Sequence, residues 1–191
     1  MISEFPYYVF DKELPAAFCD GLVTMGLANK QNSGGLHEKD GTFFDPNVRE
    51  SSISWLNNSE LSEILQLYAQ KANEAANWNF HVMCFETPQF STYSQGGQYD
   101  WHMDVGVESE DDLVIRKLTL CVSLNDSFEG GDFQIQRWCT PDANSRYNTV
   151  KEMRNKGSIL VFPSFMFHRV TPVTKGQRYS LACWFRGPDF E

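Results

Sequence analysis

A chain of 191 residues that is 41% hydrophobic and 14% aromatic carries enough apolar side chain to bury the core of one domain. Its 16 basic against 25 acidic residues, a formal net charge of -9 at pH 7, argue against a nucleic-acid backbone or an anionic membrane surface as partner, and no run of Lys or Arg offers a local exception. With no basic leader, no long apolar stretch and no C-x-x-C pair, the scattered cysteines Cys19, Cys84, Cys121, Cys139 and Cys183 read as reduced, mostly buried thiols of a soluble cytoplasmic protein.

Residues 11–28, DKELPAAFCDGLVTMGLA, begin with an aspartate and repeat apolar positions at helical spacing, which predicts a first helix running into the NSGG loop. His37 falls in that Gly-rich stretch and reads as a surface residue. Residues 59–78, SELSEILQLYAQKANEAANW, predict a second helix with Ser59 as N-cap and Leu61, Ile64, Leu65 and Tyr68 on one stripe. From Asn79 the texture changes to short aromatic and β-branched runs between turns: FHVMCFETP, QFSTYSQGGQYDWHM, RKLTLCVSLND, GGDFQIQRW, GSILVFPS, HRVTPV and QRYSLACWF. Helices first and strands afterwards predict an α+β, mainly β fold, the strands closing a jelly roll or barrel with the N-terminal helices packed outside. No repeat or linker divides the chain, so 1–191 reads as one domain, with a helical support region over 1–78 and a β core over 79–188. The acidic VGVESEDD reads as a solvated loop, and RWCTPDANSRYNTVKEMR, with Arg137, Trp138 and Arg146, as a long loop able to fold over a peptide or simply to be solvated.

In YSQGGQYDWHMD, His102 stands two residues before Asp104. On a strand such residues face the same side, so one metal ion could take both, although the same tripeptide also arises by chance at a surface strand end. A facial set of two histidines and one carboxylate needs a second histidine from a distant strand and leaves three positions of an octahedral iron open. His168, after the apolar run ILVFPSFMF, fits that place better than His37 or than His81, which lies among aromatic residues. In GQRYSLACWF, alternation puts Arg178, Ser180, Ala182 and Trp184 on one face and Tyr179, Leu181, Cys183 and Phe185 on the other. A buried arginine demands a partner, which is either a bound dicarboxylate held bidentately or an internal Asp or Glu.

Taken in order, Y-x-x-G-x-x-Y-x-x-H-x-D, a GGDF turn and H-x9-R-x-S-x3-W make the chain resemble the Fe(II)/2-oxoglutarate dioxygenases, and within them the prolyl 4-hydroxylase and PKHD-type hydroxylase group. The resemblance covers residues 48–188 and is strongest over 93–104 and 157–185, with RESSISWL before a long helix adding to it. It implies a double-stranded β-helix (jelly roll) in which His102, Asp104 and His168 bind Fe(II), and 2-oxoglutarate chelates the iron through its 1-carboxylate and 2-keto oxygens. The far carboxylate would meet Arg178 and Ser180. Tyr93 matches a tyrosine near the co-substrate, Trp184 an aromatic near the metal, and Tyr99 a second tyrosine with a packing or substrate-side role. One departure concerns a tyrosine that some prolyl hydroxylases supply to the far carboxylate, where LTLCVSLND offers Thr119, Cys121 or Ser123.

The implied activity is hydroxylation of a peptidyl proline with O2 as co-substrate, 2-oxoglutarate being decarboxylated to succinate and CO2, and ascorbate as an accessory. The carboxylate at Asp104 separates it from related halogenases, which leave that position open to chloride. The implied partner is a peptide or protein substrate, with a free amino acid or other small molecule as the alternative. Outside this class stand a zinc hydrolase built on the same ligands, which leaves Arg178 unexplained, and a non-catalytic jelly-roll binding module.

Overall fold

Along the strand Arg178–Gly187, side chains alternate between two environments. Leu181, Cys183 and Phe185 enter an apolar layer shared with Leu118, Leu120 and Val122 of the strand Ile115–Ser123 and with Ile159 and Val161 of the strand Ile159–Pro163. The residues between them, Arg178, Ser180, Ala182 and Trp184, turn to the opposite face, as alternation predicts. The computed structural model describes residues 6–34, 36–38, 41–43, 45, 47–105, 114–137 and 147–189.

Among the described residues, the larger sheet is 8-stranded, in the order Tyr8–Phe10, Ile159–Pro163, Ile115–Ser123, Arg178–Gly187, Gln89–Tyr93, Ser52–Trp55 and Asn32–Ser33, with Cys84–Phe85 paired beside the far end of Arg178–Gly187. The smaller sheet is 5-stranded: Tyr147–Thr149, Phe133–Gln136, His168–Val170, Gln98–His102 and Arg49–Glu50. The two sheets face each other across Tyr93, Leu160 and Phe162 from the larger and Phe133, Ile135 and Val170 from the smaller. The helices cover the outer face of the larger sheet, where Cys19, Leu22, Leu61, Leu65, Ala69 and Ala72 meet the apolar layer. The protein is thus mostly β, with its helices outside, and among the described residues no helix is long and apolar enough to cross a membrane.

The helix boundaries differ from expectation for local reasons. The first helix is Ala16–Ala28, entered through Pro15, whose ring presets the backbone at φ -58. Asp11 lies before it and instead accepts hydrogen bonds from Asn155 Nδ2 (2.7 Å) and Ser158 Oγ (2.8 Å). The second helix is Ser59–Ala75, and its cap is Asn58 rather than Ser59: the extended backbone lies at Asn58, whose Oδ1 accepts from the Leu61 N–H at 2.8 Å. Residues 1–78 are also less purely helical than the sequence suggests. Tyr8–Phe10, Ser52–Trp55 and Arg49–Glu50 join the two sheets, and Leu36–Glu38, with His37 at its centre, pairs with Gly41–Phe43 instead of looping. Strands of two to four residues are too short to declare themselves by alternation. Residues 106–112 of the acidic stretch VGVESEDD, Cys139, Trp138 and Arg146 lie outside the described residues.

Candidate active site

The strands Gln98–His102 and His168–Val170 are neighbours, with His102 directly opposite His168. Their imidazole centroids are therefore 4.1 Å apart. Asp104 joins them by a route that alternation did not anticipate. The strand ends at His102, and Asp104 sits in the bend after it, where its backbone N–H and that of Val105 both donate to the Ser164 carbonyl, at 2.9 and 3.0 Å. That anchor swings the carboxylate across both rings, 3.7 Å from His102 Nε2 and 3.4 Å from His168 Nε2.

Each ring is oriented from behind. His102 Nδ1 meets the Asp100 carbonyl at 2.7 Å and His168 Nδ1 the Met166 carbonyl at 3.0 Å. A carbonyl only accepts, so each Nδ1 carries a proton and each Nε2 is the ring atom that faces the carboxylate. The donor atoms of all three residues lie within 4.8 Å of one another, and no other such group exists among the described residues. Ligands about 2.1 Å from a shared ion and about 90° apart are separated by about 3 Å, so small side-chain adjustments would close this set on a metal.

Electrostatics favour the same state. Burial pushes His102 down to about 3, and the adjacent His168 adds to the depression, so the imidazole is neutral and able to ligate. Burial alone would raise Asp104; the facing His168 and His102 and the polar hydrogens of Trp184 and Thr119 outweigh it and hold the carboxyl below its usual range. Thr119 Oγ1 donates to Asp104 Oδ2 at 2.8 Å and touches Ser164 Oγ at 3.1 Å. The buried Trp184 indole N–H is close enough to favour the carboxylate charge but has no partner at hydrogen-bond distance.

The register then lays out a floor leading away from this cluster. Thr119 pairs with Trp184, Cys121 with Ala182 and Ser123 with Ser180, all on the inner face. Thr119 therefore stands at the end of Asp104, and it is Ser123, not Thr119, that lies level with Ser180. Ser123 Oγ donates to the Asn125 carbonyl at 3.3 Å. From Trp184 to Ser180 is a run of about 13 Å at the usual strand rise. Thr119, Ser123, Ser180 and Trp184 are buried, whereas Cys121 and Ala182 between them stay partly exposed, which marks open space above that pair.

At the far end lies Arg178, 2% exposed. Its Nη1 donates to Ser180 Oγ at 3.0 Å, its Nε has no hydrogen-bond partner, and its guanidinium carbon sits 5.3 Å from the centroid of the Tyr93 ring, the residue it pairs with across the strands. Among the described residues no carboxylate forms an ion pair with it, and burial lowers its affinity for its proton. The internal salt bridge that sequence reading left open is therefore not what holds Arg178.

Several contributors escaped the sequence. Arg116 is held bidentately by Glu86, at 2.6 Å to each oxygen, and lies 4.2 Å over the Trp184 ring at the rim, with Trp55 beyond it, 42% exposed and 6.5 Å from Trp184. Ser164 anchors the Asp104 bend. Tyr99, which the sequence offered for packing or the substrate side, stacks on His102, 3.5 Å between centroids, and burial pushes its phenol up to about 12. The first Arg of RKLTLCVSLND was the visible trace of Arg116; nothing in the sequence pairs it with Glu86. His81 is exposed and does not join the cluster.

A family model described as the 2OG-Fe(II) oxygenase superfamily matches residues 88–186. The chain belongs to this superfamily. Its relatives fall in the prolyl 4-hydroxylase and PKHD group. A PKHD-type hydroxylase of Hyphomonas neptunium is 28% identical over 141 residues, 72% of this chain and 59% of the relative. Another, of Shewanella oneidensis, is 31% identical over 105 residues, 53% of this chain and 43% of the relative. The chain spans about half the length of these curated relatives. Among solved structures, a Pseudomonas putida prolyl-4-hydroxylase superposes with a TM-score of 0.72 at 21% identity, over 97% of this chain and 95% of that one. The viral collagen prolyl hydroxylase of Paramecium Bursaria Chlorella virus-1, solved as a 2OG complex, gives 0.68 at 21% identity, over 96% and 97%. These likenesses show a shared fold. The cofactors of the superfamily are Fe(II) and 2-oxoglutarate, with O2 as co-substrate, and the donor set here suits them: two imidazoles and a carboxylate at one end, a buried guanidinium without an ion-paired carboxylate at the other.

Proposed function

We propose that this chain is an Fe(II)- and 2-oxoglutarate-dependent hydroxylase of peptidyl proline, and that its facing sheets are a double-stranded β-helix. The observation that carries the reading is Arg178, a guanidinium buried without an ion-paired carboxylate, on the strand face that looks across the space between the sheets toward the side holding His102, Asp104 and His168. A zinc hydrolase has no use for that charge, whereas the distal carboxylate of a short dicarboxylic acid neutralises it.

When bound, Fe(II) with 2-oxoglutarate supplies the oxidising chemistry, in which the oxo acid is decarboxylated to succinate and CO2 and the substrate receives a hydroxyl from O2. His102, Asp104 and His168 would hold the metal on one side and leave the other open to co-substrates. Thr119 fixes the carboxylate by donating to Oδ2, and the Asp100 and Met166 carbonyls fix the imidazole tautomers. Arg178 and Ser180 would clamp the distal carboxylate beside Tyr93, with the methylene chain over Cys121 and Ala182. Trp184 and the Arg116–Glu86 pair would screen the metal end from bulk water at the rim where a peptide arrives. A peptide substrate is supported by relatives named prolyl hydroxylases, one of which, from Trichoplax adhaerens, is solved with a hypoxia inducible factor oxygen degradation domain peptide.

The test incubates the purified chain with Fe(II), 2-oxoglutarate, ascorbate and either a library of proline-containing peptides or free amino acids. Peptide prolines should gain one oxygen in step with succinate, and His168→Ala should abolish both. Oxygen gained only by free amino acids would move the substrate class to small molecules. Succinate from no substrate, and no visible charge-transfer band on adding 2-oxoglutarate to the anaerobic iron-loaded protein, would sink the reading.

A further inference from the structure

The two imidazoles are secured unequally. His168 is packed between Phe133, 5.5 Å away and nearly parallel, and Phe162, 4.6 Å away and edge-on. His102 lies at the strand end with a more exposed side chain, 14% against 5%, and apart from His168 itself the ring against it is Tyr99, stacked at 3.5 Å and 12°. What holds Tyr99 therefore bears on one ligand and not on the other.

Arg49 holds it. Arg49 is the cross-strand partner of Tyr99, and its guanidinium carbon lies 4.6 Å from the centroid of the phenol ring. The imidazole covers one face of that ring, so the guanidinium takes the opposite face. Its seat is assembled from separate parts of the chain. Arg49 Nε donates to Ser51 Oγ at 2.9 Å, and Nη2 donates to Gln89 Oε1 at 2.8 Å. At Gly34 a Cβ would come within 2.4 Å of Ser51 Oγ and 2.7 Å of Arg49 Nε, so the bare backbone is what lets the guanidinium through. The whole residue is 6% exposed. A planar cation with fixed donors suits this seat as a lysine would not, because it can lie flat on the ring while its edge is hydrogen-bonded.

We propose that Arg49 is a positioning residue for the metal ligand His102, acting through Tyr99: the guanidinium–phenol–imidazole stack holds the imidazole plane so that Nε2 faces Asp104. The inference rests on the metal-centre reading above. The test titrates the full chain with Co(II), without co-substrate, and follows the visible d–d absorption, which reports ligand geometry. Arg49→Met and Tyr99→Leu should each weaken Co(II) binding about tenfold, the lower end of the effect of an outer support on a metal site, and change the shape of the spectrum. Arg49→Lys should recover only part of the affinity. Tyr99→Phe, which keeps the stack and loses the hydroxyl, should keep the wild-type spectrum. If Arg49→Met does not fold, as judged by circular dichroism, the Tyr99 pair decides alone. Wild-type affinity and spectrum in Arg49→Met, or in Tyr99→Leu, overturn the inference while leaving the metal centre standing. A wild-type protein that takes up neither Co(II) nor Fe(II) overturns both.

Discussion

The strands Ile115–Ser123 and Arg178–Gly187 present one face to the helices and the other to the space between the sheets, and the two faces are built by different rules. Toward the helices stand Leu118, Leu120, Val122, Leu181, Cys183 and Phe185, each buried in one apolar cluster. Toward the interior stand Thr119, Cys121, Ser123, Arg178, Ser180 and Trp184, where Arg178 Nε and Trp184 Nε1 are buried without hydrogen bonds. Removing apolar surface from water stabilises the first face, whereas orphaned polar atoms cost stability on the second. The same backbone therefore carries stability on one side and a binding site prepared at the expense of stability on the other. The separation is physical because successive residues of a strand point to opposite faces.

Leu120→Ala should break the comparison on its stabilising side with the largest effect. Leu120 is fully buried in the outer layer, so urea denaturation should show a loss of about 2–5 kcal/mol, while the folded fraction keeps its metal affinity. Leu120→Ala protein that is stable yet loses metal binding would mean the faces are not independent.

Arg178→Met sharpens it from the other side, with effects of opposite sign. Without its charged donors the protein should need about 30-fold more 2-oxoglutarate, roughly 2 kcal/mol, for half-maximal development of the anaerobic charge-transfer band. Without co-substrate, the same variant should melt a few degrees higher, since an uncompensated buried charge gives way to an apolar chain. A lower melting point would show that Arg178 supports the fold rather than waiting for a ligand.

The smallest effect belongs to Cys183, whose thiol burial pushes up to about 12 from an ordinary value of 9.0. Between those values the unfolded chain has lost the proton that the folded chain keeps, so stability falls as pH rises through that window. Urea denaturation at about pH 8 and about pH 10 should show wild type losing about 1 kcal/mol more than Cys183→Ala over that interval. Parallel losses would mean that the thiol is not shielded.

The legibility of the site follows from the range over which each contact acts. His102, Arg178, Ser180 and Trp184 could be assigned to faces because alternation is a local rule. The opposition of His102 and His168 rests on strand pairing between residues far apart in sequence, and motif order hinted at it without showing it. Asp104 joins His102 and His168 by a geometry the sequence did not suggest: it reaches the cluster through a bend bonded to Ser164, not through strand alternation. Thr119 was offered, with Cys121 and Ser123, for the far carboxylate, and only the register with Trp184 set it beside Asp104 instead. The seat of Arg49 was invisible, since Gly34, Ser51, Gln89 and Tyr99 form no pattern until the strands are assembled.

By itself, then, the amino-acid sequence determined the two helices and the longer strands, which side chains of such a strand share a face, and which residue types are at hand for a metal and a carboxylate, because these follow from the periodicity and chemistry of neighbours in the chain. The tertiary structure decided that the Asp104 carboxylate crosses both imidazoles, that Arg178 is buried without an ion-paired carboxylate, and that a guanidinium and a phenol stand behind His102. Those facts depend on which distant strands pair and in what register, and that is settled by burial and hydrogen bonding summed over the whole chain.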